Sequence, residues 1–405
     1  MTANRHRYNE MRRRIIRNAL LPLFRTSDTR LRQTMDLSGA AVRRILICRP
    51  NHRLGNLLLL TPLVMELQRV FPGAEVDMVL AGDDGAELFG AFCNVRHIYA
   101  LSRRMIRHPV TLLRTALRIR RAGYDLAIDP CEASQSSRLL VTLANARYVI
   151  GLPRDGSLVN QGERAAMLRA PRHMAQWPVY LLRRAATRRP PDSDHNFPEL
   201  DIRLSANERK QAREVLDNLL RVRDGPQPRL IIGLFAEATG EKRYPLGWWQ
   251  RFIAEVRVRH PDCALVEVLP PDGRPRLSMD LPTFSSRSPR KVAALISNMT
   301  CFVSADCGVM HLASASGTPT IGLFSVTDVS KYEPCGRGSC ALVTNGKTPE
   351  EITRLASAHI ESLHTATFSG SRQPFPRGDR KEHQSDTNPG PAAAFVDRQP
   401  TWPHA

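Results

Sequence analysis

The sequence predicts an α/β protein of the doubly wound kind, built as two similarly sized Rossmann-like domains in series. Three observations predict it. From Val42 onward, apolar runs of strand length alternate with amphipathic runs of helix length, the pattern of a parallel sheet with crossover helices. The alternation pauses at a polar, proline-rich passage, Arg188 to Leu200, and then starts again, as a linker between two units would have it. The chain of 405 residues is 42% hydrophobic and 24% charged, long and apolar enough for two cores.

Taken in order, residues 1–40 form a basic leader. Ile15, Ile16, Leu20 and Leu21 are set among Arg12, Arg13, Arg14, Arg17 and Arg25. This pattern fits a helix lying on anionic lipid head groups and equally a solvated arm. Residues 41–190 read as the first Rossmann-like domain. RRILICRP is a buried strand, LLLLTPLVMELQRVF a single helix with a proline in its early turns, and AEVDMVLAG a second strand. HIYAL, the basic helix VTLLRTALRIRRAGY and the strand DLAIDPC continue the order. Residues 191–205 are the linker, and the helix ANERKQAREVLDNLLRV follows. Residues 206–365 read as the second domain, with strands RLIIGLF, CALVEVLP, CFVSAD and TPTIGLFS interleaved with helices GWWQRFIAEVRVRH, PRKVAALISNM and CGVMHLASASG. Residues 366–405 have the composition of a disordered tail.

The formal net charge of +19 favours polyanionic partners: nucleic acid, an anionic membrane face or phosphorylated substrates. Aromatics are only 6% and do not interleave with the basic runs, and no zinc-finger spacing occurs, so nucleic acid is not the expected partner. None of the eight cysteines sits in a CxxC pair. They read as reduced thiols of a cytoplasmic protein, with no metal and no cofactor expected. No apolar run approaches 18 residues, and no signal peptide is evident.

Open α/β sheets bind ligands at the carboxyl ends of their strands, and with two domains the expected site is the cleft between them. Three turns there attract attention. In NHRLGN, Gly55 permits a tight strand-to-helix turn, and the helix beyond it points free N–H groups outward; an ordinary βα turn looks much the same. In AEATGEKRYPLGWWQRF, Thr239, Gly240, Lys242 and Arg243 put a hydroxyl, backbone N–H groups and cations in one loop, a set suited to a pyrophosphate or to a solvated basic loop. In VSADCGVMHLASASGTPT, Asp306 ends a strand, Gly308 opens a helix and His311 lies on its first turns, so that a phosphate at the helix N-terminus can take a further hydrogen bond.

Together these segments resemble glycosyltransferase family 9, the ADP-heptose:lipopolysaccharide heptosyltransferases. RILICRPNHRLGNLLLLTPLVMELQRVFPGAEVDMVL resembles the family's opening strand, turn and helix. YDLAIDPCEASQSSRLLVTLANARYVIGL resembles a later segment of its first domain, and EKRYPLGWWQRF its lysine-containing phosphate loop. DCGVMHLASASGTPTIGLFSVTDVSKYEP resembles its most specific signature, D-x-G-x-x-H followed by small residues and G-x-P-T. The similarity covers about Val42 to Ile360.

The resemblance implies a GT-B fold, with the acceptor bound by the first domain and the nucleotide sugar by the second. It implies transfer of a heptose or related sugar, with inversion and without an obligatory metal, from a donor such as ADP-heptose. The acceptor would be a lipopolysaccharide core or another phosphorylated glycolipid or polysaccharide precursor. The enzyme would then be cytoplasmic and peripheral on the inner face of the cytoplasmic membrane, against its anionic surface. By motif, Lys242 contacts the donor diphosphate, helped by Thr239, while Asp306, Cys307, Gly308 and His311 line phosphate and sugar. Position 307 is usually Thr or Ser in the family, so a hydroxyl is missing here. A carboxylate for the ribose is expected after the next strand, with Glu267 and Asp272 as candidates.

One departure bears on mechanism. Many members carry Asp after the turn glycine, as the base that deprotonates the acceptor; this chain has Asn56, and an amide cannot accept that proton. Three readings follow. Asn56 orients the acceptor while His52, Asp129 or Glu132 serves as base; or the acceptor arrives ionised; or the protein binds nucleotide sugar without turnover. A sugar-nucleotide 2-epimerase would need a further set of acids and bases, which the sequence does not display.

Overall fold

A computed structural model of the chain describes residues 37, 39–101, 109–131, 134–151, 170–187, 196–220, 228, 230–277 and 280–368. The basic leader through residue 36, the tail from residue 369, the first residues of the proline-rich linker (188–195) and Glu132 lie outside the described residues.

The first half contains β1 (Arg44–Arg49), α1 (Leu54–Leu58), α2 (Thr61–Val70), β2 (Glu75–Ala81), α3 (Asp84–Phe89), β3 (Val95–Leu101), α4 (Pro109–Arg121), β4 (Leu126–Ile128), α5 (Gln135–Ala144), β5 (Tyr148–Ile150) and α6 (Gln176–Ala186). Its five strands are all parallel, in the order β3-β2-β1-β4-β5. The order reverses between β1 and β4, which makes their carboxyl ends the switch point where a ligand crevice forms.

The second half contains α7 (Ala206–Leu219), β6 (Leu230–Phe235), a 3-10 turn (Gly240–Lys242), α8 (Leu246–Arg259), β7 (Cys263–Val268), β8 (Thr283–Phe284), α9 (Pro289–Ile296), β9 (Cys301–Ala305), α10 (Gly308–Ala315), β10 (Thr320–Phe324), α11 (Val329–Tyr332), β11 (Cys340–Val343) and α12 (Pro349–Phe368). These strands are also parallel, in the order β11-β10-β9-β6-β7-β8. Both sheets belong to one unit that runs through Leu363; a short second unit starts at His364.

The middle residues of the central strands are mostly apolar because helices cover both faces. Ile45, Leu46, Ile47 and Cys48 are all fully buried, as are Ile232 and Leu234. A single apolar cluster continues from β1 and α2 of the first half to Phe302, Leu312 and Ala313 of the second, so the two halves share packing. Helix α7 starts at a capping box: the Ser205 hydroxyl accepts from Glu208 N–H while the Glu208 carboxylate accepts from Ser205 N–H, satisfying two donors of the helix end.

One expected helix is two. The run from Leu57 to Phe71 breaks at Leu59–Leu60, and α2 restarts at Thr61 with Pro62 in its first turn. Pro62 has no N–H to give to Leu58 O, and its ring crowds that carbonyl. The Thr61 hydroxyl donates to Leu58 O instead, at 2.9 Å.

The described part of the linker is built into the packing. Arg183 forms a buried ion pair with Glu66 at 2.7 Å and donates to Asn196 O. Asp201 N–H donates to the Thr61 hydroxyl and Ile202 N–H to Ala315 O. Arg203 adopts a left-handed φ of 53° and stacks over the Phe92 ring. The Arg290 guanidinium then closes on Ile202 O, Arg203 O and the Glu208 carboxylate.

Candidate active site

The two halves touch where each presents the start of a helix. β1 leads through Asn51–Arg53 into α1, and β9 leads through Asp306 and Cys307 into α10. A Cβ placed on Gly308 would lie 2.9 Å from the Gly55 backbone nitrogen and 3.1 Å from Leu54 Cβ; one placed on Gly55 would lie 2.9 Å from His311 Cδ2. Only residues without a side chain allow the two backbones so close. The contact carries the turn of Asn56 against the start of α10.

Around this contact lies a charged pair. Lys242 Nζ is 2.7 Å from Asp306 Oδ2, with Lys242 one-third exposed and Asp306 nearly buried. Asp306 is anchored by its N–H to Leu323 O at 3.1 Å, so the strand end aims it at the 3-10 turn that carries Lys242. His311 is 4% exposed, and its Nδ1 is buried without a hydrogen-bond partner. Burial, reinforced by the charges of His173 and Lys242 and opposed by Asp306, pushes its pKa down to about 4. The ring is therefore neutral at pH 7, one nitrogen a donor and the other an acceptor.

Cys307 caps α10 in an extended conformation without a side-chain cap bond. Its sulfur is 3.5 Å from the Ser304 hydroxyl, and burial pushes the thiol pKa up. It is therefore an uncharged group at the start of α10.

The carboxylate alternatives of the second half turn out to share one arginine. Glu267, at the end of β7, is 1% exposed and accepts the Arg276 N–H at 2.7 Å, while its Oε2 has no partner. Asp272 is exposed and holds the Arg276 guanidinium at 2.8 Å. Burial raises the Glu267 pKa; the Arg274 N–H, followed by Arg276, lowers that of Asp272. Glu237 pairs with both Arg276 and Arg243. Arg243 is thus turned toward Glu237, and Thr239 stands exposed at the start of the 3-10 turn. Glu237 and Arg276 escaped the sequence reading, because nothing in a linear pattern indicates that a loop after β7 folds back onto the loop after β6.

In the first half, His52 is exposed and its Cβ lies 3.9 Å from the place a Cβ on Gly82 would take. Asp129 is different. It is 2% exposed, accepts from the Ser137 hydroxyl at 2.5 Å and from Cys131 N–H at 3.1 Å, and faces Arg138 at 3.3 Å. Burial raises its pKa against the opposing effect of these partners. Among the described residues no group of three His, Cys, Asp or Glu side chains has the arrangement of a metal site.

The geometry thus gathers Lys242, Asp306, Cys307, Gly308 and His311 beside Gly55 and Asn56 at the start of α1, sets Glu267 and Asp272 together on Arg276, and leaves Asp129 in a separate buried cluster. A helix N-terminus with a cation and a neutral imidazole at its mouth can hold a diphosphate.

Comparison with known proteins agrees. The model of glycosyltransferase family 9 (heptosyltransferase) matches residues 289–356, the stretch from α9 into α12 that includes Asp306 to His311. A glycosyltransferase family 9 structure from Veillonella parvula superposes with a TM-score of 0.62 at 16% identity, covering 82% of this chain and 99% of that one. The ADP-heptose lipopolysaccharide heptosyltransferase II of E. coli gives 0.57 at 16% identity, covering 80% and 99%. The E. coli heptosyltransferase WaaC, solved with ADP, gives 0.56 at 17% identity, covering 79% and 99%. No curated protein matches in sequence. The fold is GT-B, and the resemblance to glycosyltransferase family 9 is borne out.

Proposed function

We propose that this chain, a heptosyltransferase-like member of glycosyltransferase family 9, moves a heptose or related sugar from a nucleotide donor, ADP-heptose being the leading candidate, to a phosphorylated cell-surface glycan precursor such as a lipopolysaccharide core. The observation that carries the reading is the Lys242–Asp306 pair at the mouth of α10, inside the stretch matched by the family model.

In this reading the donor diphosphate takes Lys242 from Asp306 and rests on the N–H groups of α10, where the helix dipole and the ammonium stabilise charge on the leaving group. Neutral His311 adds a hydrogen bond. Glu267 and Asp272, set by Arg276, bind the nucleoside side. Asn56, across the Gly55–Gly308 contact, orients the acceptor hydroxyl for inversion. Of the candidate bases His52, Asp129 and Glu132, Asp129 is nearly buried and His52 exposed, which favours His52 over Asp129 for the proton, with Glu132 as the alternative. No step calls for a metal. The enzyme works at the inner, anionic face of the cytoplasmic membrane, drawn there by its charge.

Calorimetric titration with ADP-heptose, ADP, and UDP and GDP sugars, followed by donor hydrolysis, tests the reading. One donor should bind and be hydrolysed slowly; failure of all of them to bind ends it. A second reading, a nucleotide-sugar-binding protein without turnover, is favoured by Asn56 alone and would show binding without hydrolysis or transfer. Removing residues 1–40 should release the protein from anionic vesicles while leaving donor affinity unchanged.

A further inference from the structure

Arg49 ends β1 and lies at the carboxyl end of the strand, beside β4. It is 6% exposed. Both of its side-chain hydrogen bonds among the described residues come from Nη1, to Pro130 O at 3.2 Å and to Cys131 Sγ at 3.5 Å. Its Nε is buried with no partner.

No acid among the described residues forms an ion pair with it. Asp129, two residues before Cys131, is already engaged by Arg138 at 3.3 Å, by the Ser137 hydroxyl and by Cys131 N–H. Among the described residues, therefore, the buried Arg49 guanidinium has no carboxylate paired with it. An uncompensated buried cation is costly, and buried charges are ordinarily paired. The first turn of α5 adds positive potential at the same place. Ser137 is tied to Cys48 O at 2.6 Å, so the positive end of this ten-residue helix abuts the end of β1.

The position matters as much as the charge. The crevice between β1 and β4 is the switch point of the first sheet, and Arg49 opens the same connection that leads to Asn56. An oxyanion there would be held at a fixed offset from the acceptor hydroxyl that Asn56 faces.

We propose that Arg49 binds an acidic group of the acceptor, a carboxylate or a phosphate, at the switch point of the first sheet. The inference rests on the reading of this half as the acceptor side. It does not depend on which donor the other half takes. Nη1 keeps the loop of Pro130 and Cys131 in place, and Nε with the remaining edge of the guanidinium makes the charge-assisted bonds.

Cys131 provides a local readout, since it touches Arg49 and is part-exposed. The full chain, saturated with ADP, is treated with iodoacetamide, and the modification of Cys131 is followed by peptide mass spectrometry. Inorganic phosphate, acetate or chloride is added at equal ionic strength.

Phosphate or acetate, at about nine times its dissociation constant, should slow modification of wild-type Cys131 by about tenfold, and chloride should not. Whichever of the two protects identifies the acidic group. Arg49→Gln should abolish the protection and Arg49→Lys should keep part of it, with melting temperature recorded for each. Equal effects of all three salts on the wild type, no effect of any, or full protection in a folded Arg49→Gln would overturn the proposal. Because the wild-type response alone can refute it, a variant that does not fold leaves the test intact. ADP affinity is measured separately, so a failed donor reading shows as absent ADP binding whatever Cys131 does.

Discussion

The two halves repeat one architecture and treat charge at their strand ends in opposite ways. In the second half, cations and acids meet in the open: Lys242 with Asp306, Arg243 and Arg276 with Glu237, Arg276 with Asp272. These pairs are at least partly exposed and can exchange partners when a charged ligand arrives. In the first half the ionic groups at the switch point, Arg49, Asp129 and Arg138, are all nearly buried, and the turn beyond them ends in the neutral Asn56. One rim carries exposed ion pairs, and the other, among the described residues, carries buried charged groups followed by the neutral Asn56. The same sheet order therefore does not imply the same chemistry, which resides in the loops.

The contrast can be broken most sharply at Asn56. Asn56→Asp should raise transfer by about 10²–10⁴-fold if proton removal limits the reaction, the usual contribution of a positioned base; kcat at saturating donor is the measurement. An unchanged or lower kcat would mean that the amide is itself the working group.

The next effect is on stability. The His311 pKa lies at about 4 when folded, against about 6.5 when unfolded. Between those values the unfolded chain binds the extra proton, so stability rises with pH. Stability conferred by the neutral ring is present above pH 6.5 and is lost as pH falls toward 4, by roughly 3 kcal/mol in all. Urea unfolding from pH 7 to pH 4 should show this loss in the wild type and much less of it in His311→Asn.

Lys242→Ala should weaken ADP binding by about 1.5–3 kcal/mol, toward the lower figure because the ammonium is part-exposed. Calorimetry gives the value, and wild-type affinity would remove Lys242 from the site. Gly308→Ala, finally, puts a methyl group against the Gly55 nitrogen and should cost about 1–3 kcal/mol through overpacking. Unfolding midpoints report the cost, and small-angle scattering should show the halves moving apart. A variant as stable and as compact as the wild type would show that the helix ends are not held in contact.

Much of the fold was legible because its signals are local. RILICR, EVDMVLA, LIIGLF and TIGLF are mostly apolar and mostly buried, and each is a strand. Short or partly polar elements were missed: α3, α5, β5, α6, β8, β11 and α12 lie among residues that the pattern left unassigned. The strand YVI has only three residues, too few for a period to register. The break before Pro62 was readable in principle, since proline removes a donor wherever it falls, but the apolar run on either side concealed it.

By itself, the sequence determined two parallel α/β units, a glycine at the entry to α1 with an amide, Asn56, beside it, and a D-x-G-x-x-H strand end, because each is a property of neighbours along the chain. Only the tertiary structure decided that Gly55 meets Gly308, that Lys242 rests on Asp306, that Glu267 and Asp272 share Arg276, and that Asp129 is buried against Arg138 while Arg49 has no paired acid among the described residues. Those pairings join residues tens to hundreds of positions apart, and it is the packing of helices on sheets, not any local preference, that chooses which charge lies beside which.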